Sequence, residues 1–333
     1  MNAKEITAVM LSDAQFMRSF IDEQVAAIQE AVGDGLAINA LSGGVDSSVV
    51  TMLGHRALGS RLKTYFIDSG LMRLNEPQQI VDIFRKLGIP VEIIDARDVF
   101  LQNLAGVIDP EEKREAVSQS FYRDVFGPLV RESKARVLLH GTNLTDVEET
   151  TAGIKRQHNI FAQLGIDPEQ AFGYKILEPL VWLRKDGIRL VAQELGLPNE
   201  IVNRQPFPGP GLATRIKGEV TEEKLEIVRQ ATVIVERLLS PFNLFQTMTI
   251  LNEDRVTGIV DNKRQFGRQI EVRAWTSVDA RTAKAFIPPA NVLRALGERI
   301  PALAPGVVSA VYQLTDKPPC TMEAYYVFSK QKK

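Results

Sequence analysis

At 333 residues the chain exceeds what one hydrophobic core usually organises, so two domains are expected. Its 44% hydrophobic and 24% charged residues are those of an ordinary globular protein, and a formal net charge of −1 offers no cationic surface for nucleic acid. The one cysteine, Cys320, excludes an internal disulfide and a cysteine-rich metal cluster.

The first predicted element is a helix opened by a Ser12-Asp13-Ala14-Gln15 capping box. Phe16, Phe20, Ile21, Val25 and Ile28 carry it at helical spacing, and Gly33 stops it. No basic start and apolar stretch of a signal peptide precedes it, and no apolar run approaches the roughly 18–20 residues of a membrane span. A cytoplasmic protein without membrane contact is expected. An apolar strand over 36–41 follows, then a helix from about Ser47, a strand over 63–67, a helix over 77–87 ending at Gly88, and a strand over 91–94. A long helical stretch over about 110–132 leads to a strand over 137–140. This alternation predicts an α/β fold with a doubly wound parallel sheet, in which ligands sit beyond the carboxyl ends of the strands.

The composition changes at Gln205-Pro206-Phe207-Pro208-Gly209-Pro210-Gly211, where neither a helix nor a central strand can continue. Beyond it the pattern predicts a helix over 222–239, strands over 247–251, 256–260 and 269–275, a helix near 291–300, and strands around 307–314 and 322–327. The expected organisation is an α/β domain over 1–205, a Pro/Gly-rich connection over 206–219, and an α+β domain over 220–333.

The chemistry concentrates in Ser42-Gly43-Gly44-Val45-Asp46-Ser47-Ser48, directly after the first strand. A Gly-Gly pair lets the backbone turn tightly with its amides aimed at one point. The helix that follows adds unpaired N–H groups and a positive dipole end, so the point suits phosphate. The hydroxyls of Ser42, Ser47 and Ser48 can bond the same oxygens, and Asp46 can hold a magnesium ion beside them. The loop lacks the Gly-Lys-Ser/Thr of a Walker A sequence.

The loop resembles the pyrophosphate loop of the ATP pyrophosphatase superfamily, which cleaves ATP between its α and β phosphates. Over nearly its whole length the chain resembles the ATP pyrophosphatase subunit of GMP synthetase. The resemblance is carried by the loop, Phe66-Ile67-Asp68-Ser69-Gly70-Leu71-Met72-Arg73, Ile108-Asp109-Pro110-Glu111-Glu112-Lys113-Arg114, Gly141-Thr142, and Asp146-Val147 with Glu149. It continues through Ile154-Lys155, His158-Asn159, Glu178-Pro179-Leu180, Lys185-Asp186, the 205–213 segment with Arg215, and Lys317-Pro318-Pro319 with Thr321 and Glu323. The proline-glycine segment and the C-terminal signature narrow the superfamily to this family. Its fold is a sheet of the adenine nucleotide alpha hydrolase-like type with a C-terminal dimerisation domain.

The resemblance implies a ligase that aminates xanthosine monophosphate to GMP through an adenylated intermediate, releasing AMP and pyrophosphate. ATP would be held by Ser42, Gly43, Gly44, Val45, Asp46, Ser47, Ser48, Gly141 and Thr142, with Ile67, Asp68 and Leu71 beside the adenosine. Magnesium would be held by Asp46 and Glu149. Catalysis would fall to Asp46, Ser47, Lys155 and His158, the last two in a charge-rich segment that suits a lid. The purine nucleotide would meet Arg215, Lys317, Thr321 and Glu323, with Lys217 as a further phosphate contact. About 35 residues precede the first strand of the sheet, too few for a glutaminase domain, and Cys320 is at the wrong end to be its nucleophile. A separate glutamine amidotransferase subunit, or free ammonium, is therefore expected to supply ammonia. A homodimer through the region after Gly211 is also expected, because its core is thin and its strand edges need partners. Arg281, Lys284 and Arg294 are candidates to reach across it.

The chain departs from the family pattern at Gln157, at Phe161-Ala162, at Ser118-Gln119, at Cys320, and loosely over Asn262-Lys263-Arg264-Gln265-Phe266. These departures leave two alternatives open: a divergent paralogue adenylating another substrate for amidation or thiolation, and an ATP-binding module without turnover.

Overall fold

A computed structural model describes residues 5–151, 174–277 and 282–321. The chain divides into two compact units, the first built from Met1–Asp68, Pro77–Ala96 and Phe121–Arg204, the second from Ser69–Glu76, Arg97–Ser120 and Gln205–Lys333.

The first unit is the expected α/β sheet. Strands β1 (Ala37–Ala40), β2 (Leu62–Asp68), β3 (Glu92–Asp95), β4 (Val137–Leu139) and β5 (Lys175–Leu177) run parallel in the order β3-β2-β1-β4-β5. Growth of the sheet reverses between β1 and β4, and the crevice at such a switch point is where a parallel sheet receives ligands. Helix Ala14–Val32 begins one residue later than the capping box implies. Asp13 is its N-cap, accepting from the amides of Gln15 (3.0 Å) and Phe16 (2.8 Å). Phe20, Ile21 and Ile28 bury the core side of that helix, and Gly33 ends it at φ +55°. Helix Val45–Leu58 starts two residues before the position predicted. Strand β5 and helix Lys185–Glu194, with Ile188, Val191 and Ala192 buried, complete this unit.

The helical stretch expected over 110–132 runs as α-helix Pro110–Gln119, a π-helical segment Ser120–Phe126, and α-helix Gly127–Ser133.

The second unit is α+β. Strands β6 (Gln246–Val260) and β7 (Lys263–Thr276) form one long antiparallel hairpin, where the sequence pattern predicts two separate runs on the β6 side. Its turn is Asp261-Asn262, both at positive φ (51° and 60°), the backbone that suits a two-residue connection between right-twisted strands. The polar stretch 252–255 does not break β6, because only the register shifts there, between Leu251 and Arg255. On the far side of β7, β8 (Lys284–Ala285) pairs antiparallel with its end and β9 (Val307–Tyr312) pairs parallel with its middle. Helix Glu222–Leu239, capped by Thr221, packs on β6 and on helix Ala290–Leu303. Ile250, Leu251, Ile270 and Trp275 are fully enclosed in this core. The strand expected over 322–327 lies outside the described residues.

The proline-glycine segment ends in a 3₁₀ turn, Gly211–Arg215, whose residues are all buried. Leu212 N donates to Leu71 O at 2.7 Å. Gly211 sits at φ +58°, and a Cβ there would lie 2.3 Å from the same carbonyl oxygen. Gly211→Ala therefore meets both a left-handed backbone and a collision, whereas Gly59→Ala, at φ +57° with open space around it, meets only the first. The expected outcome in urea denaturation is a loss of about 1 kcal/mol for Gly59→Ala and a clearly larger loss, above about 2 kcal/mol, for Gly211→Ala. Equal losses at the two positions would refute this account of the turn.

Candidate active site

The turn after β1 is held from below by a buried polar chain. Thr64 Oγ1 donates to Asn39 Oδ1 (2.7 Å), Asn39 Nδ2 donates to Thr51 Oγ1 (2.7 Å), and Thr51 Oγ1 donates to Ser47 O (2.8 Å). Asn39 and Thr51 are completely buried, so each bond satisfies a group that water cannot reach. Above them the backbone turns through Gly43 at φ +77°. A Cβ at Gly43 would sit 2.6 Å from Arg204 Nη1 and 2.9 Å from the Ile80 side chain. Arg204 Nη1 donates to Gly43 O at 2.7 Å and thereby fixes the carbonyl side of the turn.

Helix Val45–Leu58 opens on Gly44 with no side-chain cap, so its first amides remain open toward the turn. Ser47 Oγ donates to Gly44 O (3.1 Å), accepts from Ser42 N (3.2 Å) and lies 3.0 Å from Ser42 Oγ. Two hydroxyls and a set of uncapped amides thus converge, a suitable bed for phosphate oxygens. Ser48 is buried, and its Oγ has no hydrogen-bond partner.

The opposite wall comes from the end of β4. A Cβ on Gly141 would lie 3.3 Å from Ser47 N and 3.4 Å from Asp46 Cβ, so its absence lets this strand end close against the helix start. Thr142 is already engaged: its hydroxyl donates to Glu178 Oε1 (2.5 Å) and lies 2.7 Å from His140 Nδ1. Asn143 and Asp146 bond each other reciprocally at the start of helix Leu144–Thr151. Asp46 is the acidic centre between the walls. Its Oδ2 pairs with Lys185 Nζ and lies 3.5 Å from Asn143 Nδ2, while its Oδ1 is buried without a partner.

Ile67 and Asp68 end β2, with Ile67 buried and Asp68 O accepting from Ala96 N (2.9 Å). In the second unit, Leu71 is buried with its amide against Ser69 Oγ (3.3 Å) and its carbonyl bound by Leu212 N. Arg215 is 1% exposed, and none of its three guanidinium nitrogens has a hydrogen-bond partner among the described residues. Its guanidinium carbon stands 4.8 Å from the centre of the Phe207 ring, with that of Arg73 4.2 Å from the same centre. Burial, with Arg73 beside it, draws the Arg215 pKa down to about 9.

Lys217 is occupied by Glu271 Oε2 (3.1 Å), and Glu271 Oε1 takes Arg273 Nε (2.5 Å). Burial works to raise the Glu271 pKa, but Arg273 and Lys217 outweigh it and hold the carboxyl below the usual range. Arg273 Nη1 in turn donates to Thr321 O (3.0 Å), so this ionic cluster anchors the C-terminal signature. Lys317 exchanges both backbone bonds with Ala283. Cys320 packs against the cluster of Met248, Ile250, Trp275 and Ala283, with Gln313 Nε2 3.3 Å from its sulfur. Lys155, His158, Glu323, Arg281 and the side chain of Glu149 lie outside the described residues.

The structure therefore brings Ser42, Gly43, Gly44, Val45, Asp46, Ser47 and Ser48 together with Gly141 in one crevice. Three side chains to which sequence reasoning assigns no role support the residues to which it does. In the first unit Lys185 and Arg204 meet the loop, and in the second Lys113 underlies the Arg215 turn. Only Lys185 left a local signal, since it opens the helix whose Ile188, Val191 and Ala192 recur at helical spacing.

Comparison with known proteins covers most of the chain. A family model described as GMP synthase C terminal domain matches residues 239–324. The chain is 44% identical over 311 residues to one subunit of the glutamine-hydrolyzing GMP synthase of Methanocaldococcus jannaschii, covering 92% of this chain and 98% of that protein. It is 44% identical to the corresponding subunit from Archaeoglobus fulgidus (92% and 99% covered) and 46% identical to that from Methanosarcina barkeri (91% and 97% covered). Among solved structures, an NH3-dependent NAD synthetase from Campylobacter jejuni aligns with a TM-score of 0.43 at 15% identity, covering 57% of this chain and 78% of that one.

Thr51→Val keeps the shape of the side chain but strands Asn39 Nδ2 in the core, while Ser47 O keeps its helical backbone bond. The expected loss of stability, read by urea denaturation, is about 1–3 kcal/mol. An unchanged midpoint would mean that the buried chain does not hold the loop.

Proposed function

This chain belongs to the glutamine-hydrolyzing GMP synthase family, and we propose that it is the ATP pyrophosphatase subunit of a two-part GMP synthase. It aminates xanthosine monophosphate with ammonia from a separate glutamine-hydrolysing subunit. The observation that carries this reading is the turn after β1, where uncapped helix amides and the Ser42 and Ser47 hydroxyls converge beside Asp46 with no Walker lysine. Matches of this length and identity do not favour the thiolating paralogue or the inert binding module. Among the described residues no helix is long and apolar enough to cross a membrane, and a cytosolic location is part of the reading.

The chemistry follows from the substrate. The C2 carbonyl of a xanthine is urea-like, and oxide cannot leave from it. The O2 atom attacks the α-phosphorus of ATP, the bond between that phosphorus and the bridging oxygen breaks, and pyrophosphate departs. Ammonia then adds to C2, AMP carries O2 away, and one proton is released. In the first step negative charge grows on the leaving pyrophosphate. On this reading Ser42, Ser47, the amide of Gly43 and the helix start bond those oxygens, with Lys185 as the nearby cation.

Asp46 fits a magnesium ligand, because Oδ1 is a hard oxygen donor, buried and without a partner. Among the described residues no group of three His, Cys, Asp or Glu side chains could cage a metal ion. That suits an ion held by one or two carboxylates and by phosphate oxygens, and Glu149 is the second carboxylate of the proposal. When bound, the ion neutralises charge on the polyphosphate. On the nucleotide side we assign Arg215, Lys317, Thr321 and Glu323 to the purine substrate, and Lys155 and His158 to a lid over the reacting groups.

Incubation with Mg-ATP, xanthosine monophosphate and ammonium is expected to yield GMP, AMP and pyrophosphate in equal amounts. Glutamine is expected to replace ammonium only when the partner subunit is added. Asp46→Ala should reduce pyrophosphate release about 100-fold or more while leaving the fold intact. Substrate-dependent ADP, or near wild-type turnover by Asp46→Ala, would overturn the assignment.

The same reading includes a homodimer through the second unit. Near the hairpin turn Ile259 is 79% exposed and Phe266 67% exposed, and alternation along the paired strands puts them on one face of the ribbon. Light scattering should give twice the monomer mass, and Ile259→Glu with Phe266→Glu should return it to one. A monomeric wild type at micromolar concentration would exclude this pairing.

A further inference from the structure

Lys113 lies on helix Pro110–Gln119 and is 1% exposed. Its ammonium donates to three backbone carbonyls far along the chain: Ala213 O (3.3 Å), Ile216 O (2.7 Å) and Gly218 O (2.5 Å). Three protons meet three acceptors, so the buried group is fully satisfied. Two of the acceptors flank Arg215 directly, one on the 3₁₀ turn and one just past it. The third belongs to Gly218, whose φ of +82° disfavours any side chain there. Burial draws the Lys113 pKa down to about 8, while Asp109 and Glu253 act to raise it.

Besides the Lys217–Glu271 pair, two backbone bonds tie this strap. Leu212 N bonds Leu71 O on one side, and Lys217 N bonds Leu251 O (2.9 Å) on the other. If the ammonium were removed, the carbonyls of Ala213, Ile216 and Gly218, all on buried residues, would lose the donor it supplies. Among the described residues the Arg215 guanidinium has no hydrogen bond that could fix its direction, and it faces the Phe207 ring. Its aim is therefore set by the backbone on which it stands.

We propose that Lys113 is a positioning residue for the purine-nucleotide site: it clamps the backbone on both sides of Arg215 and so fixes where that guanidinium is presented. The proposal rests on the assignment of Arg215 to the substrate, and the test separates the two. Neither residue belongs to the unit that carries the pyrophosphate loop, so the effect is expected chiefly on the purine substrate.

The experiment is a double-mutant cycle on the full chain with ammonium as the nitrogen source. Lys113→Met, similar in length but without donors, is expected to raise the KM for xanthosine monophosphate about tenfold or more while the KM for ATP stays within about twofold. Arg215→Met is expected to do the same. The double variant should be no worse than the worse single one, because the clamp has nothing left to aim. Lys113→Gln, which keeps a donor, should recover part of the loss. If Arg215→Met leaves the KM for xanthosine monophosphate unchanged, the substrate assignment of Arg215 fails, and the proposal with it. If Arg215→Met raises that KM but Lys113→Met lowers only thermal stability, or the two effects multiply, Lys113 is merely structural and the proposal alone is overturned. If neither variant at position 113 folds, the ammonium holds the whole unit rather than the turn, which also overturns it.

Discussion

One buried chain of hydrogen bonds decides where the first unit can do chemistry. Asn39 stands in the middle of the central strand, where an apolar residue would pack without cost, and instead ties β2 to the helix that follows the turn. A buried amide without partners would cost on the order of 1–3 kcal/mol. Its bonds to Thr51 and Thr64 turn that penalty into a demand that strand, neighbour and helix keep one register. Ser47 O is the last link, so the hydroxyl above it inherits the rigidity of the sheet. The turn can therefore hold Ser42 and Ser47 together without any side chain capping the helix, and the open amides stay available.

The second unit solves a related problem with charge. Lys113, Arg215, Arg268, Glu271 and Arg273 are each less than a tenth exposed. Removing such groups from water is costly unless partners are supplied. Lys113 is balanced by carbonyl dipoles, and Glu271 by Lys217 and Arg273. Arg215 has no hydrogen-bonded partner among the described residues: it rests on an aromatic face, with Glu236 and Glu76 acting to favour its charge. A site that leaves one guanidinium unsatisfied keeps its bonding capacity for something that is not part of the chain.

Local features are the ones that can be read in advance. The alternation of short apolar runs with amphipathic helices is a pattern of neighbours, so the order of strands and helices in the sheet unit is legible. The Gly-Gly turn is legible for the same reason, because strand, turn and helix start occupy consecutive positions. Strand β5 is not, since Lys175–Leu177 is three residues long and nowhere fully buried. Strand β6 looks like two pieces, because polar residues around a register shift resemble a loop when the partner strand is unseen. The partners of the loop are hidden most deeply. Lys185 reaches Asp46 across 139 positions, Arg204 reaches Gly43 across 161, and Lys113 reaches Ile216 across 103. Separations of that size are set by topology, and no periodicity within either segment announces them.

The pairing of Asp46 with Lys185 also bears on the order in which the reactants arrive. One carboxylate oxygen is already neutralised by an ammonium, which leaves the other as a single donor to any incoming ion. Magnesium parts reluctantly with its water and asks for six oxygens in near-octahedral array. A lone carboxylate oxygen beside a fixed positive charge is a poor host for the free hydrated ion. The polyphosphate supplies the missing oxygens and enough negative charge to offset the lysine. On the proposed reading, metal and nucleotide therefore enter as one complex, and the empty subunit has little reason to sequester the metal ahead of its substrate.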